Sequence, residues 1–243
     1  MNTNTIHRSA AVLLIVEGLL LFVPVFILGA AINWPASLDE PASVVLPQLV
    51  AQESAVRVGY LVYLIYSILF WPVAFMTVRV LSGNTQENPL LRLAVGFGIA
   101  SAVARTLGII RWLVPMPVLA AQYVDPATSA QTRDTIALIY QMLNDYAGSV
   151  GEVLGVSFFA ALWLALVAVV ILRTGALPRW LGVFGLISAA FLFTALLELF
   201  GVDLGPLLTV STATIQLWMM AAGITLLMRS RSTASLRTAS ALS

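Results

Sequence analysis

The chain has 243 residues, 60% of them hydrophobic and 9% charged, with a net charge of +1 and a mean hydropathy of +0.98. A soluble domain is about 25% charged, so these few charges cannot clothe a water-exposed surface, whereas a lipid-facing exterior calls for such scarcity. The near-neutral balance gives no footing for nucleic acid. The absence of cysteine removes disulfides, thiolate nucleophiles, Fe–S ligation and covalent haem attachment.

The first apolar run, residues 9–32, is longer than the roughly 7–15-residue core of a signal peptide. It reads as an uncleaved first span. Five more runs of about 20 residues, the length that crosses roughly 30 Å of hydrocarbon, follow at 57–81, 90–114, 148–172, 179–200 and 206–228. Their punctuation agrees. Asn88-Pro89 sets a capping side chain before a first-turn proline, and Leu177-Pro178 and Gly205-Pro206 open the last two spans in the same manner. Pro24 and Pro72 fall inside spans and should kink them. The expected fold is all-α: a polytopic membrane helix bundle with six transmembrane helices over residues 1–228. A disordered cytoplasmic tail is expected at 229–243, rich in Ser, Thr, Ala and Arg.

Orientation follows from the arginines, the only basic side chains apart from His7. With both termini cytoplasmic, the inner segments carry Arg8, Arg79, Arg92, Arg173, Arg179, Arg229, Arg231 and Arg237, and the outer loops only Arg57 and Arg133. The outer loops instead hold Asp39, Glu40, Glu53, Asp125, Asp134 and Asp203. Two of them are long. The first contains a short interfacial helix near 44–52. The second begins Pro115-Met116-Pro117 and turns helical over 132–146. Unbroken helix from 132 to 172 would measure roughly 60 Å, so it either projects from the membrane or bends near Gly148 and Gly151. Gly98 and Ser101 after Arg92 echo Gly185 and Ser188 after Arg179, with Trp71 and Trp163 upstream, a weak sign of a parallel repeat.

Several chemistries are excluded. His7 is the only histidine and precedes the first span, so haem ligation within a bundle, histidine-based zinc sites and a Ser–His hydrolase at depth all fail. Without lysine there is no retinal Schiff base and no Ser–Lys dyad. No Asp lies mid-span, and no nucleotide or calcium loop appears. No cofactor and no metal are expected.

Ionisable groups within spans are costly and by default pair or line a polar cavity. Glu17 lies in the first span, Arg105 and Arg111 in the third, and Glu152 in the fourth; Asp145 and Glu198 lie near the outer ends. At 1.5 Å per residue Arg105 sits roughly 22 Å across from the inner face, level with Glu152. Glu17, about 12 Å from the inner end, should stay isolated. Asp145, Gly148, Glu152 and Gly155 share one helical face, and Gly151 and Gly155 make a GxxxG spacing that permits close helix approach. Arg111 points about 120° away from Arg105. Phase therefore selects Arg105–Glu152 as the pair and leaves Arg111 for Glu198, Asp145 or lipid headgroups. Trp112, Tyr123, Tyr140, Asn144 and Tyr146 would form the rim of an outward-facing polar pocket, and Trp34, Tyr60 and Trp180 read as interfacial anchors.

Two readings of the cluster stand. The charges either clamp helix register, making the protein a scaffold or sensor subunit, or they bind or transport a small anionic or amphipathic ligand without catalysis. A lipid-acting enzyme with Glu152 or Asp145 as base is a weaker third. Lipid, a lipid-like ligand and a membrane-protein partner or second copy are the expected partners.

The stretch from Gly59-Tyr60 through Trp71-Pro72, Arg105-x-x-Gly108-x-x-Arg111-Trp112, Pro117-Val-Leu-Ala120, Tyr146-x-Gly148-x-x-Gly151-Glu152-x-Leu154-Gly155 and Leu177-Pro-Arg-Trp-Leu-Gly182 resembles one family. It is the bacterial six-helix membrane family catalogued as domain of unknown function 4386. The resemblance covers nearly the whole chain except the tail. It implies an inner-membrane protein and carries no activity, cofactor or catalytic residue with it.

Overall fold

The computed structural model describes residues 3–83, 88–202, 204 and 206–241, with side chains from residue 4 to Ser230 apart from a few near the start of the last helix. Asp203 and Gly205 lie outside the described residues. Among the described residues the chain is helical, without strands: α1 (Thr3–Leu20), α2 (Phe22–Ile32), α3 (Ala42–Ala51), α4 (Glu53–Ser82), α5 (Pro89–Leu113), α6 (Pro115–Val124), α7 (Ala130–Gly148), α8 (Ala160–Thr174), α9 (Arg179–Thr194) and α10 (Pro206–Ala241). A π-helical segment, Ser149–Phe159, joins α7 to α8, and 3₁₀ turns occupy Ala36–Asp39 and Ala195–Phe200.

Six of these stretches are long and apolar enough to cross a membrane: Asn4–Ile32, Glu53–Ser82, Pro89–Val124, Ala130–Thr174, Arg179–Phe200 and Val210–Ser230. They coincide with the six expected spans, because length and hydropathy encode a span directly.

Local chemistry sets the breaks. Pro24 has no N–H to give the Leu20 carbonyl, and the helix is interrupted at Leu21 between α1 and α2. Pro72 leaves α4 unbroken over its 30 residues. Asn88 caps α5, its Oδ1 accepting from the Leu90 amide at 3.0 Å. Pro178 sits one position ahead of α9 as its cap residue. Ser129 caps α7 by accepting from the Thr132 amide at 3.1 Å.

Two features depart from expectation. Residues 115–124, read as loop, form α6: Pro115 ends α5 and occupies the first turn of the next helix, and Met116, Leu119 and Ala120 bury one face. In the long helix, α7 ends at Gly148 and the hydrogen-bond register changes to π over Ser149–Phe159.

The chain forms two compact units. One comprises Met1–Leu19, Leu69–Ala102 and Val156–Ser243; the other comprises Leu20–Ile68 and Val103–Gly155. In the first, Trp163 packs edge-on against Phe70 at 5.1 Å and Trp218 at 5.8 Å, all three fully buried. The Trp218 Nε1–H donates to the Leu181 carbonyl at 2.8 Å. The two glycines of the sequence echo have similar surroundings: Gly98 lies against Ala74 and the Trp163 indole, Gly185 against Ala168 and the Trp218 indole. The core of the second unit gathers Leu28, Leu46, Tyr60, Trp112, Met116 and Tyr140 from α2, α3, α4, α5, α6 and α7.

Candidate functional site

The second unit holds most of the expected site residues. Its frame is a backbone-to-backbone contact between α5 and the α7–π segment. A Cβ on Gly108 would lie 2.6 Å from the Gly151 Cα, and one on Gly155 would lie 2.9 Å from the Arg105 amide nitrogen. Gly148 leaves room for the Arg111 guanidinium, whose Nη2 would be 3.2 Å from a Cβ there. Glycines at 148, 151 and 155 thus form the face that meets α5, and the GxxxG spacing does bring the helices together.

That contact places Arg111 in the interior, its side chain 5% exposed. Nη1 donates to the Gly108 carbonyl at 2.8 Å, and Nη2 donates to the Asn144 Oδ1 at 3.4 Å. The guanidinium carbon lies 5.3 Å from the centroid of the Trp112 ring, a cation–π contact. Glu152 Oε1 stands 3.7 Å from Nη2, with the glutamate side chain 54% exposed. The Glu152 carboxylate therefore comes to the arginine that α-helical phase turned away. The reason lies in the reach of the Arg111 side chain, which folds back along α5 to the Gly108 carbonyl and enters the room that Gly148 leaves.

Asn144 extends the network, its Nδ2 donating to the Leu38 carbonyl at 2.8 Å, and the Tyr140 hydroxyl donates to the Glu40 carbonyl at 3.4 Å. Both are buried and tie α7 to the connection after α2. Trp112 is stacked on Tyr60, centroids 4.9 Å apart and planes 2° from parallel. Tyr60, fully buried, is a core residue and not the interfacial anchor expected from its place near a span end. Its hydroxyl and the Arg111 Nε are buried without a hydrogen-bond partner among the described residues.

Arg105, 2% exposed, extends Nη1 to the Tyr66 hydroxyl at 3.4 Å and lies 5.5 Å from that ring's centroid. Tyr60, Tyr63 and Tyr66 recur every three residues along α4, a spacing legible in the sequence that had not been given a role. Tyr63 joins Tyr66 and Trp34 at 5.8 Å each. Other expected rim residues lie elsewhere. Tyr146 is 74% exposed, Asp145 is exposed and accepts from the Gln141 side chain at 2.8 Å, and Tyr123 offers its carbonyl to Arg133. Glu198, half-buried in the 3₁₀ turn Ala195–Phe200, and fully buried Glu17 belong to the first unit. The α1 turn carrying Glu17 faces α10, with Gly18 against the Gln216 carbonyl and Met220.

The surroundings of the arginines are packed. A cleft of about 20 Å³, room for one water, is lined by Trp112 with Leu49, Val56, Leu113 and Pro117. At its edge Arg57 and Glu53 form an exposed ion pair of 2.8 Å.

Six apolar spans with two buried arginines define a multi-pass all-α membrane protein. The chain belongs to the family Domain of unknown function (DUF4386), which it matches over residues 11–230. No curated protein and no solved structure matches it.

Proposed function

We propose that this chain is a non-enzymatic membrane protein that binds or carries a small anionic or amphipathic ligand, its anionic group held by Arg111 and Tyr60. One observation carries the reading: the Arg111 Nε–H and the Tyr60 hydroxyl are buried donors without an acceptor among the described residues. A buried donor left unsatisfied costs about 1–3 kcal/mol, and an anionic oxygen supplies the acceptor such a donor lacks. Trp112, which stacks on Tyr60, also lines an apolar cleft with Leu49, Val56, Leu113 and Pro117. The arginine distribution supports both termini in the cytoplasm, which would open the site to the outer face. The family resemblance supports a bacterial inner membrane.

Tyr60→Phe tests this cleanly, because the lost hydroxyl bonds no group among the described residues. In native mass spectrometry of gently released protein, the wild type should carry an extra mass, retained about 10–100-fold less by Tyr60→Phe and Arg111→Gln, the worth of a hydrogen bond to a charged group. Tyr60→Phe should be no less stable than the wild type. A bare wild-type protein, or equal retention in all three, would remove the binding reading.

A second reading, the structural clamp, draws on the Arg111–Asn144–Leu38 chain of bonds. It requires that Arg111→Glu/Glu152→Arg recover much of the stability lost by either single change. Absence of rescue contradicts it.

A further inference from the structure

We infer that residues 33–41, the connection between α2 and α3, form a lid that opens to admit the ligand; this rests on the binding reading above. Arg111 is 4% exposed and Tyr60 is fully buried, so a ligand reaches their donors only when a covering segment moves. The helices around that core hold it with buried apolar side chains, among them Ile32 on α2, Leu46 on α3, Met116 on α6 and Ile136 on α7. The connection buries no apolar side chain. Trp34 and Leu38 rest against the same core only partly buried. Lifting the connection therefore exposes the least apolar surface, and segments with few buried apolar contacts open at the lowest free energy.

Its ties to the site are polar. Asn144 bridges the two: its Oδ1 accepts from the Arg111 Nη2 at 3.4 Å, and its Nδ2 donates to the Leu38 carbonyl at 2.8 Å. One amide group thus sets the Leu38 backbone against the guanidinium, which places the lid at the site. The Tyr140 hydroxyl adds a longer bond, 3.4 Å, to the Glu40 carbonyl. Ser37 works against these holds. It is 2% exposed, and its hydroxyl has no hydrogen-bond partner among the described residues. A buried hydroxyl without a bond is penalised, and opening returns it to water. Asp39 and Glu40, at the end of the lid, are exposed already. The closed lid is poised: side-chain bonds from α7 hold it, and a buried hydroxyl favours its release.

The test is fluorine NMR of 4-fluorobenzoate exchanging with the full chain in nanodiscs of zwitterionic lipid, which reads association rate, dissociation rate and Kd. Tyr140→Phe loses one lid bond and should speed association and dissociation alike by about two- to tenfold, the worth of one hydrogen bond. Ser37→Ala removes the buried hydroxyl and should slow both by about fivefold or more. Kd should match the wild type in both variants, because a lid governs passage and not the bound state. A shifted Kd in either variant, or wild-type rates in either, overturns the lid and leaves the binding site standing. Absence of binding by the wild type removes the site itself.

Discussion

Gly108→Ala probes the contact on which the site is built. The added Cβ would sit 2.6 Å from the Gly151 Cα, 3.0 Å from the Ala147 carbonyl oxygen and 3.1 Å from the Gly151 amide nitrogen. Carbon atoms rest about 3.5–4.0 Å apart, so relief requires about 1 Å of movement. The obstacles are all backbone, so no side chain can rotate away. Overpacking of this kind costs about 1–3 kcal/mol. The same displacement would carry Glu152, next to Gly151, away from Arg111. Gly96, on the same helix, provides the control: a Cβ there meets nothing within 4 Å. Gly96→Ala should therefore be neutral or more stable by up to about 1 kcal/mol, from the helical preference of Ala over Gly. The assay is reversible unfolding in mixed micelles. Equal stabilities for Gly108→Ala and Gly96→Ala would refute the close approach of α5 to the π segment.

The other predictions concern buried hydrogen bonds. Asn144→Ala removes the 2.8 Å bond to the Leu38 carbonyl and an acceptor of Arg111. It should cost about 1–3 kcal/mol and speed amide exchange over residues 36–40; unchanged exchange there would contradict the tether. Trp218→Phe loses the indole bond to the Leu181 carbonyl, whereas the Trp163 Nε1 has no partner among the described residues. Trp218→Phe should therefore be more destabilising than Trp163→Phe by about 1 kcal/mol, read from the same unfolding experiment.

The spans, the Asn88 cap, the break at Pro24 and the close approach of Gly151 and Gly155 were legible because each depends on local sequence alone. The site was less so. Arg105, Arg111, Trp112, Tyr140 and Asn144 were identified as a group, and all five are buried in one unit. The Arg111–Glu152 contact was missed because helical phase gives the direction of a Cα–Cβ bond and not the path of a long side chain, which here folds back to the Gly108 carbonyl. α6 was missed because Pro115 and Pro117 read as loop, although Met116, Leu119 and Ala120 carry the helical spacing. Tyr60 was taken for an anchor because sequence position gives depth along a helix but not which neighbour covers it. Here the neighbour is the Trp112 ring.

The most direct test of the binding site is high-resolution density for the protein purified from its native membrane without added anions and then resolved with 4-bromobenzoate. The account predicts density bridging the Arg111 Nε and the Tyr60 hydroxyl, with the bromine located by its anomalous signal near the Trp112 ring. A lone water between the two donors, with no bromine nearby, would contradict it.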